Sequence, residues 1–229
     1  MLNILEAMQE ILQMEYVPRK YGRTLHLPQS LAVTNDDKVH TDISQFDGLE
    51  VVISEKLDGE NTTIYCEGTH ARSIDGRFHP SRSWMKQFAA GVSPFLDVSE
   101  RIVGEYLFAR HSIAYDNLET YFYGFAWFIE DELQSWNDTQ ERFRELGIIS
   151  VTVLYHGPYF KGLIDKTINE LNLETQEGFV LRSSGSIIHD DFSKYVGKFV
   201  RQGHVQTDKH WMHSGIIPNK LKEGFIVDE

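Results

Sequence analysis

Lys56 stands among carboxylates, directly after an apolar run. The stretch Ser54-Glu55-Lys56-Leu57-Asp58-Gly59-Glu60-Asn61 follows Val51-Val52-Ile53. An amine attacks phosphorus only when unprotonated, and a free lysine titrates near about 10.4. Partial burial or a neighbouring cation lowers that value, whereas Glu55, Asp58 and Glu60 work to raise it. Gly59, having no side chain, permits close approach of a phosphate. The same eight residues equally describe an exposed turn whose lysine pairs with its neighbours and does nothing else. Local physics leaves both readings open and gives Asp58 no role.

Four later stretches carry polar groups within strand-like runs. Glu105 lies in Val103-Gly104-Glu105-Tyr106-Leu107, and Glu177 opens Glu177-Gly178-Phe179-Val180-Leu181-Arg182. Lys194, Lys198 and Arg201 punctuate Lys194-Tyr195-Val196-Gly197-Lys198-Phe199-Val200-Arg201. Charges at inward positions of a strand are costly unless they are paired or meet a ligand. The aromatic run Tyr121–Trp127, with its Gly124 gap, holds rings that fill a core or stack on a purine. Together these supply a nucleophile, cations for phosphate, carboxylates for a metal or a ribose, and a stacking ring. That set serves phosphoryl or nucleotidyl transfer.

The elements that must position them are mostly strands. Leu49–Leu57 and Thr62–Glu67 flank the turn-forming Asp58-Gly59-Glu60-Asn61, which predicts a β-hairpin. Arg101–Phe108, Tyr121–Ile129, Ser150–Tyr155, Gly178–Arg182 and Tyr195–Arg201 read as strands. Residues 2–14, the start of Ser81–Leu96, Thr139–Leu146 and Gly162–Leu173 read as helices. Tyr16–Leu31 reads as an irregular connection, and the pattern weakens beyond Gln202, a tail expected to wrap the domain. A chain of 229 residues, 41% hydrophobic, suits a single α+β domain with an N-terminal helix over about 1–15 and a tail over about 203–229. Its one cysteine, Cys66, excludes an internal disulfide. The start lacks a secretion-signal pattern and no apolar run spans a bilayer, so a cytoplasmic, non-membrane protein is expected. A net charge of −12 argues against a broad nucleic-acid-coating surface but not against a local basic groove. Such grooves have local sources in Arg72, Arg77, Arg82 and Lys86, and in Lys194, Lys198 and Arg201.

In this order the elements resemble the covalent nucleotidyltransferases, and most closely the ATP-dependent RNA ligases. Lys56-Leu57-Asp58-Gly59 matches their motif I, and Arg72 in His70-Ala71-Arg72-Ser73 matches motif Ia. Gly104-Glu105-Tyr106-Leu107 matches motif III, Tyr123-Gly124-Phe125 motif IIIa, Glu177–Arg182 motif IV, and Lys194–Arg201 motif V. The likeness runs from about Arg19 to about His213. Glu55–Asn61, His111–Tyr115 and His204–Trp211 are similar to a short bacterial and phage RNA-ligase-like subgroup. The implied fold is the ATP-grasp-like ligase adenylation domain, with antiparallel sheets, peripheral helices and no OB domain.

The resemblance implies a three-step reaction on ATP with Mg²⁺ or Mn²⁺. Lys56 takes AMP, the AMP passes to a 5′-phosphate RNA end, and a 3′-hydroxyl displaces it. By position, Glu55 reads adenine, Asn61 assists phosphodiester formation, Arg72 holds phosphate or ribose, and Glu105 holds the ribose. Phe125 stacks on the base, with Tyr123 as alternate. Glu177 binds or organises the metal, which with Lys198 offsets the acids around Lys56. Lys198 neutralises the α-phosphate, with Lys194 or Arg201 beside it, and Arg201 is a candidate phosphate or RNA contact. RNA ends are the substrate, and a kinase or phosphatase partner would prepare them. The alternatives are a capping-type guanylyltransferase and a nucleotide-binding sensor or scaffold that seals nothing.

Three departures stand out. Motif V lacks a second lysine one residue away, Ala126 replaces the usual acid after Phe125, and few residues follow Arg201. His204, His210 and His213 match no common zinc spacing. His111 fits either a core position or a phosphate contact, while Lys209, Lys220 and Lys222 fit either RNA contact or solvent.

Overall fold

In the computed structural model, residues 16–31, 33–74, 79–202 and 216–223 are described. The helix expected at the N-terminus, and the tail's His204, Lys209, His210, Trp211 and His213, lie outside them. Among the described residues, ten strands build two sheets. The first holds β1 (Leu25–His26), β2 (Glu50–Lys56), β8 (Val153–Pro158), β9 (Gly178–Ser183) and β10 (Val196–Val200), in the order β1-β10-β9-β2-β8. The second holds β3 (Glu60–Tyr65), β4 (Gly68–Ala71), β5 (Glu100–Tyr106), β6 (Phe122–Ile129) and β7 (Glu132–Leu133), in the order β4-β3-β5-β6-β7. Every pairing of these strands is antiparallel except that of β1 with β10.

Strand alternation sorts the side chains into layers. On the first sheet Val51, Ile53, Phe179, Leu181 and Phe199 turn outward onto Leu163 and Ile164 of α3 (Leu163–Glu170). On the second, Ile64, Ile102, Tyr106 and Phe122 turn outward onto Met85, Ala89 and Val92 of α1 (Ser83–Val92) and Phe143 of α2 (Trp136–Leu146). Each fully buried side chain of this size contributes about 1.5–3 kcal/mol. Two further clusters join the sheets, one around Val103, Ala126 and Val196 and one around Val52, Leu57, Leu107 and Trp136. Alternate residues of the same strands (Ser54, Lys56, Val180, Arg182, Val196 and Lys198 against Asn61 and Glu105) line the space between.

The expected hairpin is not formed. β2 pairs with β8 and β9, and β3 with β4 and β5, so Leu57-Asp58-Gly59 carries the chain from one sheet to the other. Asp58 is 4% exposed, and one oxygen of its carboxylate accepts from Ser112 N–H (2.8 Å), Ser112 Oγ (2.6 Å) and Ile113 N–H (3.0 Å). Its satisfaction therefore comes from a distant loop and not from a local turn. Gly59 has a packing reason: a Cβ there would lie 2.5 Å from the Tyr106 carbonyl oxygen and 2.7 Å from Leu107 Cδ2.

Other departures have similar tertiary causes. Residues 149–151 first bond to Gly124 of the second sheet, so the strand expected over Ser150–Tyr155 starts only at Val153. Ser135 caps α2 by accepting from Asp138 N–H, which begins that helix before the expected Thr139. The irregular connection Tyr16–Leu31 contains β1, whose His26 lies opposite Lys198. The tail does wrap the domain where it is described: Pro218 and Leu221 bridge to Ala109 and Leu118. No helix among the described residues is long and apolar enough to cross a membrane.

Candidate active site

A cavity of about 550 Å³ opens between the two sheets, and Lys56 lines it at the end of β2. Lys56 Nζ donates to Glu177 Oε2 at 2.6 Å, with side-chain exposures of 25% and 3% respectively. Glu177 is set by its neighbours. Arg201 N–H donates to its carbonyl, and Gly178 lies beside Lys56 in the ladder. Gly178 admits no side chain, since a Cβ would meet the Phe199 carbonyl oxygen at 2.0 Å. Burial works to lower the pKa of Lys56, but Glu177, Glu105 and Asp58 outweigh it and hold the amine above the usual lysine range. Paired with Glu177, Lys56 is therefore an ammonium near neutral pH.

Glu55, Asn61, Arg72, Glu105, Phe125 and Lys198 line the same cavity. Burial, and then the Lys56 charge, push Lys198 below the ordinary lysine range. Asn61 Oδ1 is buried without a hydrogen-bond partner. Phe125 is aimed by a bulge: Val103 pairs with Ala126 and Gly104 with Gly124, which leaves Phe125 out of the ladder. The alternate Tyr123 instead accepts Glu119 N–H at 3.0 Å and packs in the cluster around Leu57. Ala126, where an acid was expected, is 1% exposed in an apolar cluster.

Lys194 and Arg201 are not brought to the cavity. Lys194 is exposed on α4 (Phe192–Tyr195), its Nζ 4.7 Å from the Tyr195 ring centroid. Arg201 is half-buried just past β10. Tyr21, Arg23, Thr24, Asp37, His111, Trp136 and Arg182 also line the cavity and had no assigned part in it. Of these, the sequence marks only His111 as a candidate. The N-terminal ones come from irregular backbone, where no periodicity marks an inward face.

Glu105 accepts Gly59 N–H at 3.1 Å, and burial, aided by Glu177 and Asp58 and opposed by Lys56, pushes it from 4.5 up to about 8. A carboxyl raised on folding binds protons that the unfolded chain has released, so stability falls as pH rises through the window between those values. Glu105→Gln keeps the acceptor for Gly59 and removes the titration. The stability of wild type relative to this variant is expected to decline by about 2–4 kcal/mol between about pH 5 and about pH 8. Urea unfolding across that range reads it, and a flat difference refutes the burial of that charge.

The RNA ligase family model matches residues 49–200. The chain belongs to the RNA ligase family. The match includes the Lys56, Glu105, Phe125, Glu177 and Lys198 elements but stops short of both the N-terminal cavity wall and the tail. Family resemblance extends to solved folds at low identity. An archaeal ATP-dependent RNA ligase is 16% identical, with a TM-score of 0.59, over 80% of this chain and 48% of that one. A putative ATP-dependent DNA ligase from Aquifex aeolicus is 16% identical, with a TM-score of 0.56, over 81% and 50%. The Naegleria gruberi RNA ligase with PPi is 17% identical, with a TM-score of 0.55, over 84% and 64%. The chain thus spans about half the length of the archaeal and Aquifex proteins, and shares with all three the ligase nucleotidyltransferase fold of antiparallel sheets with helices outside. No curated protein matches it in sequence.

Proposed function

We propose that this chain is the catalytic domain of an ATP-dependent RNA ligase, joining 5′-phosphate and 3′-hydroxyl RNA ends through lysyl-AMP. The observation that carries the reading is Lys56, held by Glu177 at 2.6 Å on a cavity that also presents Lys198, Arg72 and Phe125. In the first step Lys56 Nζ bonds to the α-phosphorus, the bond to the bridging oxygen breaks, and pyrophosphate leaves. The ammonium must first shed a proton, for which Glu177 stands within hydrogen-bond reach. Lys198 offsets charge on the α-phosphate, Phe125 stacks on adenine, and Glu55 contacts its edge. Glu105 meets the ribose, largely as a neutral acid near pH 7, and Asn61 offers its unpartnered oxygen as acceptor to a sugar hydroxyl. AMP then moves to the RNA 5′-phosphate, and a 3′-hydroxyl expels it.

Among the described residues no group of three or more His, Cys, Asp or Glu forms a metal cage. A site with few carboxylates fits Mg²⁺ or Mn²⁺, which keep water ligands and bind substrate phosphates. Glu177 would hold the ion, whose charge would neutralise the phosphates. RNA ends of the required chemistry call for a kinase or phosphatase partner where breakage leaves other termini.

The test is incubation with α-labelled ATP or GTP and either metal, followed by 5′-phosphate RNA. Alkali-stable, acid-labile label from ATP on the protein is expected, which passes to the 5′-phosphate RNA and is released as AMP when the ends are sealed. Label from GTP alone makes the chain a capping-type guanylyltransferase. Binding of ATP without label under both metals favours a nucleotide sensor or scaffold, a reading supported by the absence of Lys194 from the cavity.

A further inference from the structure

The family match ends at residue 200, yet the segment 216–223 grips the loop that supports the Lys56 turn. Its backbone bonds flank that loop on both sides: Arg110 N–H to the Ile217 carbonyl, Asn219 N–H to that of Phe108, and Lys220 N–H to that of Tyr115. Asn219 is 4% exposed. Its Nδ2 donates to the Leu107 carbonyl at 2.8 Å, its Oδ1 accepts Tyr115 N–H at 3.0 Å, and its carbonyl accepts the Tyr121 hydroxyl at 3.1 Å. Leu107 follows the strand that carries Glu105, and Tyr115 closes the loop on Asp58. The Tyr115 hydroxyl accepts Asp58 N–H at 2.9 Å, while Ser112 and Ile113 donate to the Asp58 carboxylate. His111 lines the cavity from the same loop.

We infer that Asn219 is a positioning residue: through Tyr115 and the 107–115 loop it sets the Asp58-Gly59 turn, and so the placement of Lys56, which is two residues from Asp58. The inference rests on the ligase reading for its kinetic consequence, but the geometry stands apart from it. A buried amide using both its donor and its acceptor on two ends of one loop fixes the loop's length and twist together. Alanine at this position leaves a carbonyl and an N–H unsatisfied and frees the loop, without touching any group that lines the cavity. Small misplacements of a nucleophile cost rate more than they cost binding.

Single-turnover adenylylation by Asn219→Ala, Tyr115→Phe and the double variant tests this, with amide hydrogen exchange on the same proteins. At saturating ATP, Asn219→Ala is expected to slow labelling about tenfold or more, with KM for ATP within about twofold of wild type. Tyr115→Phe acts in the same direction, and the double variant is no slower than the slower single one. Exchange at residues 57–61 and 109–115 accelerates in Asn219→Ala while β9 and β10 stay protected as in wild type. Rates within about twofold of wild type, or additive losses, overturn the inference. Unchanged exchange at 57–61 overturns it even if no variant labels. A wild type that takes no label counts against the ligase reading alone, and the exchange arm then decides the positioning. Tyr115→Phe, which removes only a hydroxyl, carries the test if the alanine variant does not fold.

Discussion

Replacing Lys56 by alanine should drop label incorporation from α-labelled ATP below about one part in 10³ of wild type. Lys198, which also lines the cavity, lies on β10 and is not the lysine bonded to Glu177. Lys56→Arg should be equally inactive, because its guanidinium does not deprotonate at accessible pH. The alanine variant should also be less stable. Breaking a buried ion pair costs about 3–5 kcal/mol, and the 25% exposure of the Lys56 side chain puts the loss nearer about 2. Combining Lys56→Met with Glu177→Gln should regain part of that stability and none of the activity. Activity and stability thereby separate, with labelling on a gel as one measurement and urea unfolding as the other. Residual labelling of Lys56→Ala at more than a few per cent of wild type would assign the nucleophile elsewhere.

Glu177→Gln is expected to lower the maximal labelling rate by about 10²-fold or more, because it removes the carboxylate that would hold the metal. It should also move the pH dependence. In wild type the acids outweigh burial and hold the Lys56 pKa up, so the reactive amine grows as pH rises toward and beyond the ordinary lysine range. Glutamine keeps an oxygen for the hydrogen bond but drops the charge that does most to raise the Lys56 pKa against burial. The Lys56 pKa then falls, and the rise of rate with pH comes at lower pH than in wild type. Single-turnover rates over a pH series at two metal concentrations check both parts. A profile that coincides with wild type means that Glu177 does not set the protonation of Lys56, whatever the maximal rate.

The cavity also shows which inferences one dimension permits. Glu105 and Lys198 were legible because each puts a charge into an otherwise apolar strand, where it is costly unless paired or met by a ligand, whereas Lys56 was legible only in company with those later elements. Phe125 was legible only as one of two rings: choosing it over Tyr123 took a bulge, which depends on the partner strand β5. The hairpin expectation failed at Asp58, whose partners Ser112 and Ile113 are more than fifty residues away. Lys194 failed differently, because the short helix α4 precedes β10 and points that side chain to solvent.

The sequence by itself determined which reactive groups are present, the order of the motifs and the strand-rich α+β class. Residue type and period-two alternation are local properties, and phosphoryl transfer demands particular groups. Tertiary structure alone decided which strands pair, why position 59 must be glycine, and which charges meet. It alone brought Tyr21, Arg23 and Asp37 to the cavity and laid Asn219 under the Lys56 turn. Those facts depend on contacts between residues far apart in the chain, and no local pattern records a contact whose two partners are each ordinary where they stand.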